Sequence, residues 1–334
     1  MSPEAVRWGV ELTPDKPLDE VVSAGAVAED TGFDAAFVSS HYFNRDPFVS
    51  CAQVAAETDE ILLGPGVENR YETHPARLAS AMATVDEVSN GRGLFGIGAG
   101  DRSALSALGI DQHRPLRRVL ETMEVARSLW AGETVSHEGV VTDASLTYGP
   151  RTIPIFVGAQ GPQMLRMSAT HADGVLVNAS HPRDLAWAAD RLTAGRRDRP
   201  RERGPFTALA FASVCVADTE TAARETARPP VAFIAAGAAD PVLDRHDLER
   251  ADVTAVRDAL ERSALEEAFS RVTDPMIDAF CIAGTVETVA DRFVAALEFV
   301  DGIVAGSPLG PTPAVAIEQI ASARDRALDI HESS

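Results

Sequence analysis

Short apolar runs alternate along the chain with longer segments in which apolar residues recur at helical spacing. Apolar runs bounded by Gly, Pro or Asn are typical of buried parallel strands, and amphipathic segments are typical of the helices that cover them. The pattern predicts eight strands, at Val6–Leu12, Ala35–Ser39, Ile61–Val67, Gly93–Gly98, Ile153–Gly158, Gly174–Asn178, Thr207–Val216 and Gly302–Ala305. It predicts a helix after each of the first six, at Leu18–Thr31, Pro47–Thr58, Pro75–Ser89, Pro115–Trp130, Pro162–His171 and Pro182–Arg191.

Regular alternation of strand and helix predicts a parallel sheet with right-handed crossovers. Eight such units in 334 residues favour an α/β fold of the (β/α)8 TIM-barrel type, with ligands at the carboxyl ends of the strands. An open doubly wound sheet is the alternative, but its first strand-to-helix turn should be rich in glycine. Here that turn reads Glu11-Leu-Thr-Pro-Asp-Lys-Pro, without glycine, and the barrel is favoured.

Two stretches are longer than the loops of a barrel require, so we predict a single barrel domain over residues 1–334 with two insertions. The first, at about 132–150, alternates like a small hairpin. The second, at about 217–279, holds several helical segments between strands seven and eight. An insertion at that point would cover the mouth of the barrel and form a wall of the ligand site.

The chain carries a net charge of −20, and Lys16 is its single lysine. An excess of Asp and Glu argues against binding of nucleic acid and of anionic membranes. A strongly acidic surface with almost no lysine is typical of proteins adapted to high intracellular salt. A merely acidic protein from a GC-rich genome is the alternative.

The apolar runs and the cysteines predict a cytoplasmic protein. The run Val231–Ala239 is too short to span a bilayer, and the first residues lead almost directly into a strand, without a signal peptide. Cys51, Cys215 and Cys281 lie far apart, in apolar contexts and without zinc-site spacing. A reduced compartment is the simplest interpretation.

Candidate chemistry follows the first two strands. Glu11 ends the first strand, where a partly desolvated carboxyl is suited to proton donation; its alternative is a structural carboxylate paired with an arginine. His41 follows the second strand and could hydrogen-bond a flat cofactor, although a lone histidine is more often structural.

Glycine-rich segments end the next three strands. In Gly64-Pro65-Gly66-Val67 the two glycines would tolerate a strained or cis peptide. The segment Gly96–Asp101 permits close approach of a planar ring, with Asp101 able to accept hydrogen bonds from an amino-pyrimidine, but its spacing is not a dinucleotide fingerprint. The loop Gly158–Pro162 is either an ordinary turn or a phosphate-binding loop at a helix amino terminus.

No nucleophile–histidine–acid arrangement stands out, and no histidine pair has metal-ligand spacing, so no metal is expected. What remains is a barrel mouth with small-residue strand ends, one carboxylic acid and a phosphate-type loop. These features suit a phosphorylated flat redox cofactor better than hydrolysis, because the cofactor carries the electrons while the protein binds and orients it.

These motifs resemble the bacterial-luciferase-like flavin and deazaflavin barrels, and among them the coenzyme F420-dependent 5,10-methylenetetrahydromethanopterin reductases of archaea. With its acidic surface, the chain would be a haloarchaeal member. The matching segments span nearly the whole chain in order: GVEL at 9–12, SSHY at 39–42, LLGPGV at 62–67, ATVDEVSNGRGLFGIGAGD at 83–101, IPIFVGAQGPQML at 153–165, LVNAS at 176–180, VAFIAAG at 231–237 and AGSPLGP at 305–311.

The resemblance implies a role for each matching residue. Glu11 would protonate the pterin nitrogen and so open the methylene bridge to hydride. Gly66-Val67 would be a non-prolyl cis peptide that supports one face of the deazaflavin. The cofactor-binding residues implied are His41, Gly66, Val67, Gly96, Ile97, Gly98, Gly158, Ala159, Gln160, Gly161, Asn178 and Ala179. Asp101, Gln163 and Phe233 would lie on the substrate side.

The chain departs from the resembled pattern at two places near the deazaflavin. Ser40 precedes His41 where the family usually has an acidic residue. Glu68-Asn69-Arg70 follows the Gly66-Val67 pair where the family tends to have a small polar residue and then Asn-Pro.

The resemblance predicts a methylene-tetrahydropterin reductase that takes hydride from coenzyme F420, with FMN or another flavin as a possible donor. The pterin substrate would be the methanopterin form or, in a high-salt archaeon, tetrahydrofolate. We expect a homo-oligomer, a dimer or tetramer, with no nucleic-acid or membrane partner. The alternatives are an F420-dependent alcohol or sugar dehydrogenase, an FMN-dependent monooxygenase and a non-catalytic flavin-binding barrel.

Overall fold

The computed structural model describes residues 6–332, in which strands and helices alternate from Trp8 to the last helix. The chain divides into two compact units. One contains the residues up to Leu176 together with Asp190–Leu209, and the other contains Val177–Ala189 and the residues from Ala210 onward. No described helix is both long and apolar enough to cross a bilayer.

The first unit contains the elements that begin the chain. They are β1 (Trp8–Leu12), α1 (Leu18–Asp30), β2 (Ala35–Val38), α2 (Pro47–Ala56), β3 (Leu62–Pro65), β4 (Glu68–Asn69), α3 (Pro75–Val88), β5 (Phe95–Gly98), α4 (Arg102–Ala107), α5 (Pro115–Trp130), β6 (Val135–His137), β7 (Val141–Ala144), β8 (Ile155–Ala159) and α6 (Pro162–His171). The next three elements, β9 (Gly174–Asn178), α7 (Pro182–Arg197) and β10 (Thr207–Val216), each contribute residues to both units.

Strands of the first unit pair in parallel. β1 pairs with β2 and β2 with β3, and β5 pairs with β4 and with β8. A parallel bridge between Leu63 and Gly93 continues the sheet from β3 toward β5. Aromatic rings pack edge-on in the core of this unit. The ring centroids of Phe37 and Phe156 are 6.4 Å apart, and those of Phe95 and Trp130 are 5.8 Å apart. The carboxyl ends of these parallel strands therefore lie at one edge of the sheet.

The second unit contains the remaining elements. They are α8 (Glu220–Gly237), α9 (Asp240–Arg245), α10 (Arg250–Glu261), α11 (Leu265–Ser270), α12 (Asp274–Phe280), β11 (Ile282–Gly284), α13 (Val286–Leu297), β12 (Gly302–Leu309) and α14 (Pro313–Glu332). Strand β11 pairs in parallel with β10. Helices α8 to α12 occupy the stretch that was predicted to be the second insertion, and they share a hydrophobic core that includes Val231, Val253, Val256, Met276 and Ile277.

The predicted pattern agrees with most of these bounds, and the differences have local causes. The third strand ends at Pro65 instead of Val67, although the Gly66 N–H still donates to the Val38 carbonyl at 2.7 Å; the cis peptide between Gly66 and Val67 follows, before β4. The predicted hairpin in the first insertion is present as antiparallel β6 and β7. Strand β11 and helix α4 were not predicted, since each is too short to show a hydrophobic period, and the longer helices α13 and α14 were not predicted either. Helix α7 runs to Arg197 instead of Arg191, and β12 runs to Leu309 instead of Ala305.

Candidate functional site at the carboxyl ends of the strands

Glu11 lies in β1 directly opposite Phe37 of β2. Its carboxyl is half-buried, and Oε1 lies 3.5 Å from the hydroxyl of Thr13, which is placed to donate to it. Registered residues on parallel strands share a face, and so do residues two apart on one strand. Glu11, Thr13 and Phe37 therefore lie on one face of the sheet.

Ser39 continues β2 on that same face. Its N–H donates to the carbonyl of Leu12 at 3.1 Å, so the ladder extends one residue past the strand, and Ser39 is two residues beyond Phe37. The side chain is only 4% exposed, and its Oγ has no hydrogen-bond partner in the described structure. A buried hydroxyl without a partner costs about 1–3 kcal/mol, which a ligand with a polar edge would recover. The sequence placed Ser39 in the matching segment SSHY but assigned it no role.

The non-prolyl cis peptide predicted between Gly66 and Val67 is present. It follows β3 directly, and the chain then enters β4, in which Glu68 and Asn69 pair with Ile97 and Gly98 of β5. A Cβ on Gly66 would lie 2.7 Å from Cβ of Phe37, so glycine is required for the chain to pass over that ring.

Val67 occupies the space above the glycines of the neighbouring strand ends. A Cβ on Gly98 would lie 2.6 Å from Cγ2 of Val67, and one on Gly158 would lie 3.1 Å from the same atom. A Cβ on Gly96 would lie 2.0 Å from the carbonyl oxygen of Pro65. The glycines that were predicted to admit a planar ring are therefore also needed to make room for the bulge formed by Pro65, Gly66 and Val67. Val67 presents an apolar surface at the ends of β5 and β8.

Glu68 is buried directly behind this bulge. It is 6% exposed, accepts a hydrogen bond from Ser40 Oγ at 2.8 Å and lies 3.3 Å from the Asn69 N–H. Burial raises its pKa from 4.5 to about 6, against the opposing effect of these two donors. In the sequence, Ser40 and Glu68 are two separate departures from the pattern of the resembled family. In the structure they are hydrogen-bonded to each other.

His41 is half-buried at the start of the loop after β2. Its ring stacks on Phe43 with centroids 5.1 Å apart and planes 8° apart. Tyr42 and Phe43 are 49% and 65% exposed, which is unusual for large aromatic side chains. These two aromatics are further candidates for ligand contact, and their only signal in the sequence was their place beside His41.

Asp101 is the N-cap of α4. Its Oδ1 accepts the Ala104 N–H at 2.7 Å, and the side chain is exposed. The amide of Gln112 donates to the carbonyls of Ala99 and Gly100, at 2.9 and 3.0 Å, and holds the loop that precedes this cap. Asp101 therefore has a structural role at the end of β5, beside the substrate role that the resemblance implies.

The predicted phosphate-type loop connects β8 to α6. Ala159 ends the strand and is buried, whereas Gln160, Gly161 and Gln163 are exposed. Gly161 is the N-cap, and no described side chain caps the helix. The loop thus has the form predicted for it, an open helix amino terminus at the end of a parallel strand.

The other predicted cofactor and substrate residues belong to the second unit. Asn178 is exposed at the end of β9, Ala179 is half-buried beside it, and Phe233 in α8 is 56% exposed. Ser180 fixes the loop after β9, because its Oγ donates to the Phe280 carbonyl at 3.0 Å and accepts the Ser213 N–H at 3.0 Å. Within residues 6–332, no group of three or more His, Cys, Asp or Glu side chains could hold a metal ion.

Comparison with known proteins gives a consistent result. The family model described as luciferase-like monooxygenase matches residues 5–301. The chain is 40% identical to a 5,10-methylenetetrahydromethanopterin reductase of Archaeoglobus fulgidus, covering 94% of this chain and 97% of the relative, and 35% identical to one of Methanolobus tindarius, covering 94% and 98%. The solved structure of the coenzyme F420 dependent tetrahydromethanopterin reductase from Methanopyrus kandleri matches with a TM-score of 0.89 at 32% identity, covering 95% of this chain and 97% of that one. These matches confirm the predicted luciferase-like (β/α)8 fold class.

Proposed function

The chain belongs to the luciferase-like monooxygenase family, and we propose that it is an F420-dependent oxidoreductase that reduces 5,10-methylenetetrahydromethanopterin to the 5-methyl form. The observation that carries the proposal is 40% identity, over 94% of the chain, to a relative that bears this activity in its name. Matches at 35% and 33% to two further reductases of the same name support it.

The residues of the first unit fit a deazaflavin. The unpartnered hydroxyl of Ser39 offers a buried hydrogen bond to a polar ring edge, and Val67 offers an apolar surface for a ring face. Reduced coenzyme F420, when bound, supplies the hydride. The residues that would hold it in this unit are His41, Gly66, Val67, Gly96, Ile97, Gly98, Gly158, Ala159, Gln160 and Gly161. In the second unit, the cofactor-binding residues that the resemblance implies are Asn178 and Ala179.

Glu11 is the proton donor in this proposal. Its carboxyl is half-buried on the face that carries Ser39, and Thr13 is placed to orient it. Delivery of a proton to the pterin nitrogen breaks the bond from that nitrogen to the methylene carbon, which leaves the carbon electrophilic. General acid catalysis of this kind contributes typically about 10²–10⁴-fold to a rate.

Asp101, Gln163 and Phe233 are proposed to contact the substrate, and all three side chains are exposed. The carrier is the methanopterin form in the proposal, because the relatives at 33–40% identity are named for it. Tetrahydrofolate is the comparison substrate for the assay. We also propose that the protein is a cytoplasmic homo-oligomer, which sedimentation and cell fractionation would test.

The proposal is tested by replacing Glu11→Gln and measuring methylene-pterin reduction in concentrated KCl. The rate should fall roughly a hundredfold or more while binding of the oxidised coenzyme is unchanged, since the amide keeps the shape but cannot donate an acidic proton. Asp15→Asn, an exposed carboxyl in the loop after the same strand, is the matched control and should retain the wild-type rate. Full activity of the Glu11→Gln protein would remove this carboxyl from the mechanism.

Wild-type turnover with other substrates separates the alternatives. Oxygen consumption with reduced FMN would indicate a monooxygenase, and oxidation of alcohols or sugar phosphates would indicate a dehydrogenase. Coenzyme binding without turnover of any of these substrates would indicate a non-catalytic carrier. Each of the three results, in the absence of pterin reduction, would contradict the proposal.

A further inference from the structure

Three arginines surround one buried carboxylate in the first unit. Glu121 of α5, with a side chain 7% exposed, accepts hydrogen bonds from Arg70 and from Arg117 Nε, the latter at 2.6 Å. A guanidinium nitrogen of Arg118 lies 3.6 Å away, and Nε2 of His137 lies 3.9 Å away. We call Arg70, Arg117 and Arg118 the arginine cluster.

The cluster carries more positive charge than Glu121 can neutralise. Arg70 is only 11% exposed, and it donates to the Glu121 carboxylate. Its pKa is lowered mainly by burial and secondly by the positive charge of the neighbouring Arg118. Arg117 and Arg118 are 63% and 36% exposed. Among the described residues, neither Nη group of Arg117 has a hydrogen-bond partner. The Nη groups of Arg117 and the guanidinium group of Arg118 therefore remain in contact with solvent.

The position of these arginines is unfavourable for the helix that carries two of them. Arg117 and Arg118 are in the first turn of α5, which contains no acidic residue, and Arg114 precedes the helix. Positive side chains near a helix amino terminus oppose the helix dipole, whereas acidic ones stabilise it. Arg114, Arg117 and Arg118 thus lie where they destabilise the helix, in a chain of net charge −20. Such an arrangement indicates a functional role for the arginines.

The cluster lies at the same edge of the sheet as the candidate site. Arg70 directly follows β4, whose residues Glu68 and Asn69 come immediately after the bulge at Val67. The loop before α5 is fixed to this edge twice: Gln112 bonds the carbonyls of Ala99 and Gly100 after β5, and Tyr71 donates to the His113 carbonyl at 2.7 Å.

We propose that the arginine cluster binds the anionic tail, bearing carboxylate or phosphate groups, of a ligand whose ring occupies the candidate site. Guanidinium groups pair with both kinds of anion through parallel hydrogen bonds, and a local positive patch on an acidic protein attracts them. The inference rests on the proposed function only for the identity of the ring. The coenzyme and the pterin are the two sources of such a tail.

The test compares ligands with and without the tail on two matched variants. The ligands are the intact coenzyme and its riboflavin-level fragment, which keeps the deazaflavin and ribityl chain but lacks the anionic tail. A parallel arm measures KM for the intact pterin and for a pterin without its acidic side chain. Arg117→Gln is the test variant. Arg166→Gln is the control, since Arg166 is 62% exposed and pairs with Asp198 at 2.6 Å, much as Arg117 pairs with Glu121.

We expect Arg117→Gln to weaken binding of the intact ligand about tenfold and to change binding of the tailless ligand less than about twofold, at constant KCl concentration. The control should change neither. If only the coenzyme pair shows this contrast between tailed and tailless ligand, the cluster binds the tail of the coenzyme. If only the pterin pair shows it, the cluster binds the acidic side chain of the pterin. Equal effects on tailed and tailless ligands in both arms, with unchanged thermal unfolding, would overturn the inference. Failure of the wild type to bind the intact coenzyme would instead contradict the proposed function.

Discussion

Ser40 donates a hydrogen bond of 2.8 Å to the buried carboxyl of Glu68, and both residues are departures from the family that the chain resembles near the deazaflavin. The resemblance leads one to expect an acid before His41 and a small polar residue after Val67. This chain has the hydroxyl first and the acid second. An acid and a small polar group are therefore both retained, with their positions exchanged across one hydrogen bond.

Glu68 should make the stability of the protein depend on pH. Its folded-state pKa, about 6, lies above its ordinary value of 4.5, so the ionised form is disfavoured by folding. The penalty is fully present above pH 6 and is lost as the pH falls to 4.5, because the group is then protonated in the folded state. Relative to Glu68→Gln, the wild type should gain about 2 kcal/mol of unfolding free energy between about pH 7.5 and about pH 4.5.

Urea unfolding of the wild type and of Glu68→Gln across this range measures the difference, since all other titrations cancel between the two proteins. In a Ser40→Ala background this change in stability should occur at higher pH. Ser40 donates to the Glu68 carboxylate, so its loss should raise the pKa of Glu68 further. A stability difference between the wild type and the Glu68→Gln variant that does not vary with pH would contradict the assigned burial.

Ser39→Ala should have opposite effects on the free and the ligand-bound protein. Loss of an unpartnered buried hydroxyl should raise the unfolding free energy of the free protein by about 1 kcal/mol. Binding of the coenzyme should weaken about five- to tenfold if that hydroxyl bonds the ring. Calorimetric titration and urea unfolding measure the two effects. The control is Ser50→Ala, a buried serine whose Oγ donates to the Asp46 carbonyl at 2.8 Å; it should lose stability and bind normally.

Gly98→Ala should destabilise the protein by about 1–3 kcal/mol, because its Cβ would lie 2.6 Å from Cγ2 of Val67. Adding Val67→Ala should recover most of that loss, since the colliding methyl is then absent. Gly96→Ala should show no such recovery, because its Cβ would meet the Pro65 carbonyl oxygen at 2.0 Å. Thermal unfolding of the single and double variants gives the coupling, and strictly additive losses at positions 67 and 98 would refute the contact.

Two substitutions of Asp101 separate its structural role from its proposed substrate role. Asp101→Asn keeps an N-cap oxygen for the Ala104 N–H, so stability should be nearly unchanged. Asp101→Ala removes the cap and should cost about 1 kcal/mol. If the carboxylate contacts the pterin, both variants should raise KM for it. A defect seen in the Ala variant alone would assign the residue to the helix cap.

The fold was largely predictable because proline and apolar periodicity mark its elements. Helix α5 and strands β9 and β10 have the predicted bounds, and five helices begin at the proline that suggested them. The pairing of Ser40 with Glu68 was not predictable, since the residues are 28 positions apart and neither is part of a period. The same holds for Ser39, whose significance depends on the absence of a described partner, and for the arginine cluster, which joins Arg70 to a helix much later in the chain.

The helices between β10 and β11 pack on one another and on these two strands through one hydrophobic core, which includes Val231, Val256 and Ile277. Their exposed side chains lie outside this core: Phe233 is 56% exposed and meets the ring of Phe269 edge-on, with ring centroids 6.3 Å apart. Random mutagenesis confined to the outward-facing positions of α8 to α12 should yield mostly folded variants. This segment is accordingly the part of the chain at which a new substrate range could be selected in the laboratory.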